Sequence, residues 1–289
     1  MAAPTPSLRL ITVPYDSGRR GVRHGAGPDA LVAGGAVARL ARAGRPVDRR
    51  EVTCGPLAAG EAAADVEVMR AVRALVADAV EDRAAPVVLA GNCGATLGVV
   101  AGLPAPRVGV LWLDAHGDLN DPRTSASGFV DGMSLSMLTG RSWTGLTQRV
   151  PGFAPVADAD VLLVGAHELD PAERELLDRS RIGLLTVDAL RDDPAAVTRA
   201  VTALVDGVDA VHVHVDLDVH DLDVGRANSW SAPGGLRPEE VRAVIRAAAD
   251  RAPVRSATLA SWDPALDDDH RMRDVALDLV ELLGAALTH

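Results

Sequence analysis

The sequence predicts an α/β fold in which helices cover both faces of a parallel sheet. Two observations carry this. Short apolar runs alternate along the chain with stretches of helical spacing, the pattern of strand–helix–strand units. The runs are also apolar throughout rather than every second residue, as strands buried on both faces are. In order, strands are expected at residues 8–13, 87–90, 108–113, 161–164, 184–187, 211–215 and 257–260. Helices are expected at 61–80, 171–179, 194–205, 238–251 and 275–287. Two helix starts are marked by proline at an early helical position, Asp170-Pro171 and Arg237-Pro238. No internal repeat, low-complexity linker or shift in composition interrupts the pattern, so residues 1–289 read as one domain.

Hydrophobic residues make up 48% of the 289 positions but aromatics only 2%, so the core is expected to be Ala, Val and Leu. With 29 Lys and Arg against 40 Asp and Glu the net charge is −11, which argues against a nucleic-acid partner, since phosphate binding needs clustered cations. Two cysteines, Cys54 and Cys93, do not make a disulfide framework. No basic segment followed by a long apolar run opens the chain, and no 18-residue apolar stretch occurs, so a cytoplasmic protein with no membrane span is expected.

Ligands in open parallel sheets bind beyond the carboxyl ends of the strands. Three of the predicted strands are followed by residues that are potential metal ligands. Asp114-Ala115-His116-Gly117-Asp118 follows one, Asp216-Leu217-Asp218 another, and Gly91-Asn92-Cys93-Gly94 a third. Asp-x-His-x-Asp and Asp-x-Asp place ligands at alternate positions, which on an extended segment project to one side. A lone Asp after a strand is usually a turn former, but four carboxylates crowded together repel unless a cation lies among them. Carboxylate with imidazole suits a hard or borderline divalent ion such as Mn²⁺. Two such ions sharing one water could deprotonate it.

These motifs resemble the arginase and agmatinase (ureohydrolase) superfamily. Asp114-Ala115-His116-Gly117-Asp118-Leu119-Asn120 is similar to its D-A-H-x-D-x-N motif. His214-Val215-Asp216-Leu217-Asp218 followed by Ala232-Pro233-Gly234-Gly235-Leu236 resembles its second metal motif and the turn after it, with His214 itself expected to be structural. Gly25-Ala26-Gly27-Pro28 and residues 164–171 fall where the family has similar runs. The resemblance implies a three-layer αβα sandwich around a mostly parallel sheet of about eight strands, a homo-oligomer (trimer or hexamer), and a small-molecule substrate hydrolysed at a guanidinium or imino carbon. It implies two divalent ions bridged by Asp114 and Asp216, one completed by Asp118 and Cys93, the other by His116 and Asp218. Asp118 would orient the nucleophile, while Asn120 and Glu168 would bind substrate.

Three departures from the family pattern bear on function. Its G-G-D-H appears as Ala90-Gly91-Asn92-Cys93, so a thiol stands where relatives have a histidine ligand, as in hydroxyarginine hydrolases. The histidine of the loop after the first motif is Asp131, a candidate proton relay or a helix cap. The glutamate of E-V-N-P is Ser261, which cannot form a charge-assisted fork with guanidinium. The expected activity is therefore C–N hydrolysis of a guanidino-like compound, an N-hydroxyguanidine, formimino or amidine compound rather than plain arginine. The alternative is a non-catalytic or regulatory relative that keeps metal binding.

Overall fold

The computed structural model describes residues 7–287. Eight strands form one sheet: β1 (Ser7–Val13), β2 (Val47–Glu51), β3 (Ala84–Ala90), β4 (Val108–Leu113), β5 (Val161–Val164), β6 (Gly183–Leu185), β7 (Ala210–Asp216) and β8 (Val254–Ala260). Their order is β2-β1-β3-β8-β7-β4-β5-β6, and every pairing is parallel. This is the expected α/β sandwich. Helices cover both faces, with one apolar cluster on each side of the sheet. The strands are buried because helices lie above and below them, which is why the apolar runs were continuous.

The sheet differs from the sequence expectation at its two edges. The strand Val47–Glu51 (VDRRE) was not expected, because an edge strand needs no apolar run; its residues are partly or fully exposed, and its charges protect the free edge. The run at 184–187 is a strand only to Leu185. Thr186 then caps the helix Val187–Asp192, its hydroxyl accepting from the Ala189 amide at 3.2 Å. The helix Ala95–Gly102 was also not expected. It is almost wholly buried, so it shows no polar face to read. Gly98 lets it lie directly on the helix Glu61–Glu81, since a Cβ there would meet the Met69 carbonyl at 2.3 Å. No helix among the described residues is long and apolar enough to cross a membrane.

Strand alternation places Val211, Val213 and Val215 of β7 in one apolar layer and directs His212, His214 and Asp216 to the other side. Tight packing at the end of β3 fixes where the following residues go. A Cβ on Gly91 would lie 2.1 Å from the Tyr15 carbonyl oxygen and 2.9 Å from Gly25. Gly91→Ala is therefore expected to destabilise the fold by about 2–4 kcal/mol, as overpacking against backbone does. Urea unfolding with an unchanged midpoint would contradict this close approach.

Candidate metal centre

Strand β4 does not pair with β3 but lies three places away, and the later strands β7 and β8 fill the space. The chain thus changes direction in the middle of the sheet, where such folds leave a crevice at the carboxyl ends of the strands. A pocket of about 390 Å³ opens there, and Cys93, His116, Asp118, Asn120, Asp131, Glu168, Asp216, Asp218 and Ser261 all line it. The candidate residues of six separate segments therefore meet in one place, with Asp114 buried beside them.

Alternation along an extended strand does not account for the convergence. β4 ends at Leu113, so Asp-x-His-x-Asp is a loop rather than a strand. Asp118 adopts a left-handed φ of 52°, and His116 bridges to Glu168. Asp218 lies in the turn Leu217–Val219, folded back so that its amide donates to Asp216 Oδ1 at 2.8 Å. Turn geometry aims these side chains inward.

The contacts within the cluster are close. His116 Nδ1 lies 3.4 Å from both Asp114 Oδ1 and Asp218 Oδ2. The Trp112 indole donates to Asp114 Oδ2 at 3.0 Å, and Asn228 Nδ2 donates to Asp218 Oδ2 at 3.0 Å. The Cys93 thiol donates to Asp216 Oδ2 at 3.0 Å and lies 3.1 Å from the Ser261 hydroxyl. Asp118 Oδ2 is buried with no protein partner.

Burial and mutual repulsion push Asp118 and Asp216 well above the ordinary carboxylate range, and Asp114 is raised by burial as well. Burial alone would lower His116, but the charges of Asp218 and Asp114 push it up to about 12. Asp218 is held low against the opposing pull of burial by the His116 charge and hydrogen bonds. Burial, then the Asp216 charge, raises the Cys93 thiol. Such a cluster fits cations. Buried carboxylates that are destabilised by one another, and a buried oxygen without a partner, are what two divalent ions would relieve. Cys93, Asp114, His116, Asp118, Asp216 and Asp218 are the residues that could hold them.

The remaining candidates occupy the walls. Asp131 is engaged on both oxygens: it accepts from Asn92 Nδ2 at 2.7 Å, from the Gly94 amide at 3.2 Å and from the Ser134 hydroxyl at 3.0 Å. Its carboxylate thus anchors the segment carrying Cys93 rather than capping the amides of the helix Ser134–Leu138. Burial raises it to about 7 even though these hydrogen bonds oppose the shift. Asn120 Nδ2 donates to Asp170 Oδ2 at 2.9 Å, and Glu168 is exposed at the mouth. Ser261, with a left-handed φ of 65°, is 2% exposed. Of the two tryptophans near the motifs, Trp262 belongs to the core, whereas Trp230 stacks on Phe129 at 6.0 Å at the pocket rim. Sequence reasoning missed His24, Phe129, Asp170 and Asn228, which also line the pocket. Asn228 sits in an irregular loop with no period or motif to mark it, whereas Asp170 was visible as a helix start without its link to Asn120.

A family model described as "Arginase family" matches residues 7–284. Arginase from Bacillus caldovelox is 30% identical, spanning 97% of this chain and 99% of that one. Arginase from Brevibacillus brevis is 31% identical over 95% of this chain and 96% of its own length. The solved structure of the Bacillus caldovelox arginase covers 99% of both chains with a TM-score of 0.88 and 26% identity. A formimidoylglutamase structure from Bacillus subtilis, at 17% identity and a TM-score of 0.75 over 100% of this chain and 89% of that one, shares the fold.

The metal-free protein is expected to lose stability as pH rises from 7 to 9. Asp118 and Asp216 are raised well above their ordinary values, and His116 to about 12, so over this window the folded state binds more protons than the unfolded chain. Asp65, raised by burial to about 8, acts with the same sign. His24, His212, His214 and His220 are all lowered by burial, so they oppose this slope near pH 7, and the opposition vanishes as the unfolded chain's imidazoles become neutral above about pH 7.5. Thermal melts of chelator-treated protein should give a lower Tm at pH 9 than at pH 7, with a smaller difference once divalent ions are added. An equal or higher Tm at pH 9 without metal would show that the carboxylates do not strain the fold.

Proposed function

The chain belongs to the arginase family, and from that premise we propose that it is a dinuclear-metal hydrolase cleaving a C–N bond of a guanidino-like compound less basic than arginine. The observation that carries the metal-dependent part is the set of four buried carboxylates, with the half-buried His116 imidazole among them, at the ends of β4 and β7. Asp114 and Asp216, together with Asp118, Cys93, His116 and Asp218, would hold the two ions. Mn²⁺ suits the oxygen and imidazole donors, and Cys93 draws the preference toward softer ions. When bound, two such ions make hydroxide available near neutral pH.

The protein's own groups do the rest. Asp118 orients the attacking oxygen, its partnerless Oδ2 being free to accept a hydrogen bond. Asp131, raised to about 7, is able to take up and release a proton in the working pH range. Asn120 and Glu168 bind polar groups of the substrate at the wall and mouth. The stacked Phe129 and Trp230 give the pocket an aromatic rim. The substrate preference rests on Ser261. Its hydroxyl faces the Cys93 thiol and brings no negative charge, so a protonated guanidinium taken into this pocket lacks its partner there. A less basic N-hydroxyguanidine, formimino or amidine group avoids that loss.

Two measurements test this reading. Wild-type protein reconstituted with Mn²⁺ should hold two ions by elemental analysis, and Asp216→Ala should hold neither, because it removes a bridging ligand; wild type that binds none would end the dinuclear reading. Losing a charge-assisted pair costs about 2–5 kcal/mol, so kcat/KM for arginine and agmatine should fall below about 10⁴ M⁻¹s⁻¹, the low end of ordinary enzymes, with N-hydroxyarginine turned over faster. Arginine or agmatine hydrolysis above that level would overturn the substrate preference and leave the metal centre intact.

A further inference from the structure

We propose that His214 is a metal ligand, supplying from within strand β7 an imidazole to the ion on the Cys93 side. The inference rests on the dinuclear reading above and extends it by one residue. Three histidines at or near the end of β7 are fully buried, His212, His214 and His220, and each has an Nε2 with no hydrogen-bond partner. Only His214 adjoins the cluster. Donor atoms of Cys93, Asp114 and His214 all lie within 4.8 Å of one another. One divalent ion reaches across such a space, since ligands about 2.0–2.3 Å from a metal stand up to about 4.6 Å apart. Asp216 Oδ2, 3.0 Å from Cys93 Sγ, adjoins the same space.

The ring of His214 is held as ligating imidazoles are. Its Nδ1 pairs with the Thr96 hydroxyl at 2.8 Å, which fixes the ring by a hydrogen bond at one nitrogen. One face stacks on Trp112, with centroids 3.8 Å apart and planes at 27°. The Trp112 indole N–H in turn holds Asp114 Oδ2, so a single residue braces two of the proposed ligands. Charge favours the same role. Four carboxylates already match the charge of two divalent ions, and an imidazole adds a donor without adding to the negative charge. Position 93 offers sulfur instead of nitrogen, and position 214 restores the nitrogen from β7, two places along the sheet from β3. A site with sulfur, imidazole and two carboxylates takes a borderline ion such as Zn²⁺ or Co²⁺ more readily than an all-oxygen site does.

The test is metal binding by His214→Ser, read by elemental analysis and Zn²⁺ titration and independent of any substrate. The wild type is expected to bind two ions. His214→Ser should keep one and bind the other at least about 10- to 100-fold more weakly, the range that loss of even an outer-shell partner reaches. Placing Cys93→His in the His214→Ser background should recover the second ion. His214→Ser protein that binds two ions with wild-type affinity overturns the inference and leaves the dinuclear reading standing; wild type that binds none overturns both. Should the variant fail to fold, ¹⁵N-histidine-labelled wild type gives the answer. Zn²⁺ should shift the imidazole nitrogens of His116 and His214, and a shift of His116 without His214 overturns the inference.

Discussion

The repulsion among Asp114, Asp118, Asp216 and Asp218 organises this molecule. All four are buried at the carboxyl ends of two neighbouring strands, where charge is least screened. The protein offsets part of it: His116 lies between two of them, Trp112, Asn228 and the Cys93 thiol each donate a hydrogen bond, and the backbone amides of Ala115, His116 and Asp218 donate to Asp218, Asp114 and Asp216. Asp118 Oδ2 has no hydrogen-bond partner among the described residues. A fold that retains such a cluster is poised for cations, and ion binding and folding stability are then linked quantities.

The residues at positions 92, 93, 131 and 261 are coupled in space. Cys93 and Ser261 come from the ends of β3 and β8, adjacent strands, and their side chains touch. Asn92 and Asp131, 39 positions apart, form a hydrogen bond of 2.7 Å. One pair alters a prospective metal ligand together with the pocket wall above it; the other places an amide donor against a carboxylate that also holds the Gly94 amide. Each pair is a matched contact with donor and acceptor both present.

Close packing sets the position of the first ligand segment. Gly91 admits the Tyr15 carbonyl and Gly25 against the end of β3, and Asn92 accepts from the Ser17 amide at 2.8 Å. Cys93 is thereby fixed between the short hairpin Tyr15–Asp16/Arg19–Arg20 that follows β1 and the ends of β7 and β8. A larger residue at 91 would move the thiol before it changed any ligand identity.

The sequence by itself determined the class of fold and the identity of the cluster. Continuous apolar runs report burial on both faces, and Asp114, His116, Asp118, Asp216 and Asp218 stand immediately after such runs, a local relation that a linear reading captures. It did not determine the edge strand Val47–Glu51, whose partly exposed charges carry no apolar signal, nor the buried helix Ala95–Gly102, which has no polar face. The alternate-position argument picked out residues that do meet in space, but by a different geometry, since Asp118 and Asp218 are aimed by turns. Contacts between segments far apart in the chain were decided only by the tertiary structure: Cys93 with Ser261, Asn92 with Asp131, Asn120 with Asp170, and His214 beside Cys93 and Asp114. The physical reason is that spacing along a strand or helix is set by backbone geometry, whereas neighbours across the sheet depend on strand order, and β4 joins the sheet three places from β3.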